Sequence, residues 1–286
     1  MWYQLPTHIK QLIGEFAADT EIIYILNSRS LGIFNVDTRK LRRYGFTDYC
    51  ISAYKVGKYV ATAHYEASEM VVHLREKMNI VYTFAEFNEG YYLEDVVKLN
   101  DDVVAIQCVE MTMAQTEEET RHIILWRYKE NSYMYADISG KKIIPIDKEY
   151  FAVKNGSFDV LTVYTGEVKY TYEGEVEHMG SDGINVIFNI GDIVYSYYRG
   201  IVKELYKNFP VISINEGVIY GRDKVIHKNE QTDLLEKLDI GMSLKRYGGY
   251  LYAGDGKKVY KIDKEVIDEY DVDSREFILT SDAKLF

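Results

Sequence analysis

Apolar and polar positions alternate in short runs along most of this chain, and the runs are separated by small turn-forming residues. The clearest stretch is Ser243 to Tyr270. There Ser243–Tyr247, Tyr250–Ala253, Lys258–Ile262 and Val266–Tyr270 are divided by Gly248-Gly249 and Asp255-Gly256. A period of two is that of a strand with one buried face. Gly-Gly and Asp-Gly supply the positive φ that tight hairpin turns demand. The stretch therefore predicts an up-and-down sheet of four short strands.

The same order of strands and turns recurs upstream. One copy runs through Val211–Asn215, Glu216-Gly217, Val218–Tyr220, Arg222-Asp223, Lys224–Lys228 and Leu234–Asp239. Another spans Val176 to Tyr206 with turns at Asp182-Gly183, Gly191-Asp192 and Arg199-Gly200, and a further one spans Ile143 to Tyr172 with Lys148-Glu149 and Asn155-Gly156. The inner turns of these four fall at 149, 183, 217 and 249, a period of 32 to 34 residues. Looser copies have inner turns near Thr20, Gly57 and Asp101, which makes seven units.

A four-stranded unit repeated at about 30–45 residues resembles the β-propeller architecture, in which radially packed blades bury both faces of every sheet. The resemblance implies an all-β, closed β-propeller of seven blades, approximately 1–48, 49–92, 93–140, 141–174, 175–209, 210–240 and 241–286. Six or eight blades, or an all-β sandwich, remain as alternatives. Glu276–Thr280 reads as a last strand that completes blade 1 and closes the ring. Thr7–Phe16 reads either as a first inner strand or as a short amphipathic helix, because Ile9, Leu12, Ile13 and Phe16 fall at helical spacing. No particular propeller family is indicated: Trp2 and Trp126 are the two tryptophans and Gly248-Gly249 the one Gly-Gly pair, so WD40 and kelch signatures are missing. The resemblance therefore transfers no functional residue.

Composition narrows the class. The 286 residues are 47% hydrophobic with 27 tyrosines and three prolines, which suits strands and excludes a disordered chain. Richness in Tyr, Ile, Lys and Glu is similar to proteins of hyperthermophilic archaea and their viruses. A net charge of −11 argues against a general nucleic-acid binder, which needs cationic surface. Cys50 and Cys108 stand 58 residues apart without metal-ligand spacing and read as buried thiols. No stretch has the roughly 20 apolar residues of a membrane span, and the N-terminus lacks a signal-peptide pattern. The expectation is a soluble intracellular protein, in host cytoplasm or virion if the source is viral.

Departures from a repeat are its informative parts, since insertions map to loops and often to a binding face. Two stand out, at 86–92 and at 110–120. In an up-and-down blade the connection to the next blade and the turn between its second and third strands emerge on one face. Between Glu86 and Thr120 ten acids stand against Lys98 alone, a local charge of −9. The expected partner-binding residues are Glu86, Phe87, Glu89, Tyr91, Tyr92, Met111, Met113, Glu117, Glu118 and Glu119. A solvated acidic hairpin and a divalent-cation site are the competing readings. Arg39, Lys40, Arg42 and Arg43 form a basic patch on a presumed outer strand, where cations discourage edge-to-edge pairing or meet a phosphate or acidic partner.

The motifs of hydrolases, NTPases, dinucleotide enzymes and zincins are absent, and the six histidines are scattered over different units. His178, Asn185, Asn215 and Asp282 are conceivable axial-channel ligands, but Asn and Asp are favoured in turns for their own backbone hydrogen bonds. No catalytic residue, metal or cofactor is expected. The reading is a non-enzymatic protein–protein interaction scaffold or assembly component whose partner is an unidentified protein. A cation-dependent, lactonase-like propeller hydrolase is the alternative.

Overall fold

The computed structural model describes residues 20–66, 69–87, 90–110, 120–222, 224–227, 230–231, 242–247, 250–263, 266–272 and 277–281. Among them every regular element is a strand. The strands form seven four-stranded antiparallel sheets, the blades of a seven-bladed β-propeller. No helix among the described residues is long and apolar enough to cross a membrane.

The first sheet holds β1 (Thr20–Asn27), β2 (Ser30–Asn35) and β3 (Lys40–Gly45). The second holds β4 (Tyr49–Val56), β5 (Tyr59–Glu66), β6 (Glu69–Glu76) and β7 (Asn79–Phe84). The third holds β8 (Tyr91–Lys98), β9 (Val103–Glu110), β10 (Thr120–Arg127) and β11 (Ser132–Tyr135). In the fourth are β12 (Lys142–Pro145), β13 (Tyr150–Asn155), β14 (Ser157–Thr162) and β15 (Val168–Tyr172). The fifth contains β16 (Val176–Ser181), β17 (Val186–Ile190), β18 (Ile193–Tyr198) and β19 (Ile201–Tyr206). The sixth contains β20 (Val211–Asn215), β21 (Val218–Gly221), β22 (Val225–His227) and β23 (Glu230–Gln231). The seventh contains β24 (Ser243–Tyr247), β25 (Tyr250–Gly254), β26 (Lys258–Ile262) and β27 (Val266–Asp271). The last strand, β28 (Phe277–Ser281), pairs antiparallel with β1, from Thr20 opposite Ser281 to Tyr24 opposite Phe277.

Two expectations fall on residues outside those described: Thr7–Phe16, and Leu234–Asp239 as the outer strand of the sixth unit. The described outer strand there is the two-residue β23, bonded to β22.

The Cα positions group into two compact units, Met1–Ala53 with Gly241–Phe286, and Tyr54–Ile240. Strand β9 shows how burial works within the larger unit. Its first seven residues are all buried, because alternate side chains enter two different cores. Val104, Ile106 and Cys108 join Ala61, Val72, Leu74, Phe84 and Trp126 between the second and third sheets. Val103 and Ala105 join Phe151, Val153 and Leu161 between the third and fourth. Between the fourth and fifth, Phe158 and Phe188 stack with ring centroids 4.5 Å apart and planes 7° apart. In the smaller unit Ile22 and Tyr24 pack with Tyr247, Tyr252, Val259 and Tyr270.

Turn chemistry sets the strand ends. The hairpin after β20 turns on Glu216 and Gly217 at φ 49° and 72°, a left-handed pair that glycine tolerates without cost. Gly180 serves a close approach instead: a Cβ there would lie 2.7 Å from Ile214 Cγ2 on the sixth sheet.

Candidate functional site

Register brings the two predicted loops to one end of one sheet. Tyr91 lies opposite Glu110, and Glu110 lies opposite Thr120, so the chain enters β8 and crosses from β9 to β10 at the same end. Of the expected contact residues, Glu86, Phe87, Tyr91 and Tyr92 are described; Glu89, Met111, Met113, Glu117, Glu118 and Glu119 lie outside the described residues.

The described residues divide by role. Tyr92 is 46% exposed, and Glu86, six residues earlier in the chain, is exposed as well. Tyr91 is 7% exposed, and its ring meets the His122 ring edge-on at 5.3 Å. Phe87 is partly buried and stands edge-on to Phe84 at 5.0 Å. Alternation along β8 forces this split, since Tyr91 and Tyr92 point to opposite faces. Tyr65, at the end of β5, is 39% exposed; burial and the neighbouring Tyr92 push its phenol up from the ordinary value. The described edge of this face is therefore Tyr65, Tyr92, Glu86 and Glu110.

The acids do not all gather there. Asp101 and Asp102 occupy the hairpin between β8 and β9, at the opposite end of the sheet from Glu110. They pair with Lys98 at 2.7 Å and Lys129 at 2.5 Å. Glu94 is held by Arg121 at 3.1 Å and accepts from Gln107 Nε2 at 2.5 Å. Glu110 lies 3.3 Å from His122 Nε2. A meander carries neighbours in sequence to opposite ends of a sheet, so a local count of charge overstates the field at either end.

The basic patch lies where the pattern put it, on the exposed outer strand β3 and the turn before it. Part of its charge is engaged: Arg39 pairs with Asp268 at 2.7 Å, and Arg42 pairs with Glu21. Cys50 and Cys108 are free and buried. Burial, then the Glu94 and Glu110 charges, push the Cys108 thiol up to about 12.

Of the four conceivable channel residues, Asn185 is engaged locally. Asp182 Oδ1 accepts the amides of Ile184 and Asn185 at 2.8 and 2.7 Å, while Asn185 Nδ2 donates to Asp182 Oδ2 at 2.9 Å. Asn215 ends β20 at its hairpin, and Asp282 lies outside the described residues. Among the described residues no group of three His, Cys, Asp or Glu side chains could hold a metal ion.

Pattern reading missed a polar network on the second sheet. His73 Nε2 lies 2.6 Å from Glu66 Oε1 and its Nδ1 lies 2.9 Å from Thr83 Oγ1. The carboxylate accepts a hydrogen bond from Nε2–H, which leaves Nδ1 to accept from the threonine hydroxyl. His64 Nε2 is 2.9 Å from Thr62 Oγ1, and Arg75 Nε donates to the same oxygen at 2.8 Å. His64, His73, Arg75 and Thr62 are all buried. A hydroxyl–imidazole–carboxylate chain can move a proton, but both nitrogens of His73 are satisfied as in a structural histidine. The only sequence signal was two histidines on predicted neighbouring strands.

No protein-family model matches the chain, and no curated protein does. Solved structures do. An uncharacterized protein of Listeria monocytogenes is similar with TM-score 0.59 at 11% identity, over 90% of this chain and 95% of that one. The β-propeller domain of the Trilobed protease from Pyrococcus furiosus aligns with TM-score 0.56 at 12% identity, over 79% and 85%. Hsv2 of Kluyveromyces lactis aligns with TM-score 0.51 at 11% identity, over 89% and 92%. At such identities the likeness shows the propeller fold alone.

Proposed function

We propose that the protein is a non-enzymatic scaffold or assembly component that binds a protein partner through one end of its second and third sheets. Loops 86–92 and 110–120 form that surface together with Tyr65. The observation that carries the reading is the register that sets Tyr91, Glu110 and Thr120 side by side, so two insertions separated by a full hairpin share one anchor. Exposed Tyr65 and Tyr92 offer flat amphipathic area of the kind that anchors interfaces. Glu86 and Glu110, with Glu117, Glu118 and Glu119 of the loop, would steer a basic partner. The competing reading, a cation-dependent hydrolase with an axial site, has no observation in its favour among the described residues.

The test uses the whole protein as bait in extracts of its source, with Tyr65→Ala/Tyr92→Ala and Glu117→Lys/Glu118→Lys/Glu119→Lys baits beside it. The same captured protein should be lost from both variants, with a loss of order 30-fold for the tyrosine pair if each truncation costs about 1 kcal/mol. Melting temperatures should stay within about 2 °C of the parent. Undiminished capture by both variants would refute the reading.

A further inference from the structure

The second sheet carries a hydrogen-bonded chain that begins in its interior and ends at its outer strand. On one face, Ala61 and Ala63 of β5 and Val72 and Leu74 of β6 join the apolar core shared with the third sheet. Alternation therefore turns Thr62 and His73 to the other face. The register sets those two opposite each other, and Thr83 of β7 lies opposite His73 in turn. His73 is buried, whereas Thr83 is exposed on the last strand of its sheet.

The two bonds of the imidazole fix its chemistry. Glu66 Oε1, at the end of β5, accepts from Nε2–H at 2.6 Å, so the free lone pair of His73 sits on Nδ1. That nitrogen meets Thr83 Oγ1 at 2.9 Å, and the hydroxyl donates to it. A hydroxyl aimed at one nitrogen of an imidazole, with a carboxylate on the other, is the arrangement that activates a nucleophile. The Glu66 carboxylate, its side chain 40% exposed, offsets the positive charge that the ring gains on taking a proton. The same bonds that hold His73 in place thus leave one reactive atom at the surface, Thr83 Oγ1.

A second exposed threonine supplies the contrast. Thr171 on β15, the outer strand of the fourth sheet, donates to Asp159 Oδ1 at 2.6 Å, with a carboxylate where Thr83 has an imidazole. A carboxylate is the weaker base, so a hydrogen bond alone does not make Thr171 a nucleophile.

We propose that Thr83 is a site of acyl modification, taking an acyl group from an activated ester or thioester with His73 as the general base. Thr83 Oγ1 attacks the acyl carbonyl carbon, and its proton passes to His73 Nδ1. The bond from that carbon to the leaving oxygen or sulfur breaks, and the departing alkoxide or thiolate takes the proton from the imidazolium. The products are a threonine ester and a free alcohol or thiol, with no further reactant required. A single acyl transfer to the chain is not turnover, and it stands or fails apart from the partner-binding face.

The experiment treats the full chain at pH 8 with p-nitrophenyl acetate, and in parallel with a small acetyl thioester, and follows acetylation of each threonine by peptide mass mapping. The Thr83 peptide should gain its acetyl group about 100-fold faster than the Thr171 peptide, or more, which is what a positioned general base contributes. Thr83→Val should lose the label, and Thr83→Ser should keep it. His73→Gln removes the proton acceptor and should slow labelling by about 100-fold or more. In urea the Thr83 and Thr171 peptides should label alike, because the unfolded chain no longer holds the imidazole on the hydroxyl. Labelling of native Thr83 by either donor supports the site. Equal labelling of Thr83 and Thr171 in the native chain, none included, overturns the proposal, as does an undiminished rate in His73→Gln. If that variant does not fold, the native contrast between the two threonines and its loss in urea decide the matter.

Discussion

Asn100 ties two neighbouring sheets together through a single amide, and its replacement tests whether such side-chain stitches hold the blades in place. The residue is 6% exposed in the hairpin between β8 and β9. Its Oδ1 accepts the amides of Asp102 and Val103, both at 2.9 Å, and its Nδ2 donates to the Lys148 carbonyl in the corresponding hairpin of the fourth sheet at 2.9 Å. Asn100→Ala removes all three bonds. The Val103 amide belongs to a fully buried residue, so losing its partner costs about 1–3 kcal/mol, and the other two bonds contribute about 0.5–1.5 kcal/mol each. The expected loss is about 3 kcal/mol, or about 5–10 °C in melting temperature for a unit of this size. Asn100→Asp keeps both acceptor bonds and loses only the link to Lys148, so its cost should be about 1–2 kcal/mol. Equilibrium urea unfolding followed by Trp126 fluorescence is the assay, because Trp126 is fully buried in the same sheet. A change below about 0.5 kcal/mol for Asn100→Ala, or equal costs for the two variants, would refute the reasoning.

Two further outcomes follow from the titrating groups. Because the Cys108 thiol is buried and pushed up to about 12, the native protein should give no reaction with a disulfide reagent at pH 8, and both free cysteines should react once urea unfolds the chain. A fast-reacting native thiol would contradict that burial. The Lys98 ammonium, 2.7 Å from Asp101, holds the Asp101 carboxyl below the ordinary value by its hydrogen bond and charge. A depressed carboxyl stabilises the fold above the ordinary aspartate pKa, about 4, and that contribution is lost as pH falls through the folded value. Lys98→Met should return the Asp101 titration toward the ordinary value in carboxyl NMR with little change in stability, since Asp101 is exposed and Lys98 partly so; an unmoved titration would show that Lys98 is not the cause.

The strands and their repeat could be read without coordinates because both are local. Alternation fixes a strand, and a left-handed turn pair such as Glu216-Gly217 or Arg199-Gly200 marks its end, so Ser243–Tyr247 and Lys258–Ile262 were placed to the residue. Even the turn at Lys77 and Met78, left-handed at φ 48° and 69° without a glycine, was implied by the strands that flank it. Strand order within an up-and-down sheet then told which loops share an end, and this much of the candidate face was legible in advance.

Which side chain meets which was not legible, because pairing register and the stacking of one sheet on another are non-local. Tyr91 and Tyr92 look alike in the chain, yet the ladder buries the first and exposes the second. The acidic run looked like one pole, and the meander sent Asp101 and Asp102 to the far end of the sheet to meet lysines. His73 found Glu66 and Thr83 across two ladders, and Lys142 met Lys154 only through the register of their hairpin. The chain alone determined the repeating sheet, because alternation and turn preference act over a few residues. Tertiary structure alone decided the charge pairing and the buried networks, because each joins residues that only the ladder register and the packing of neighbouring sheets bring within reach.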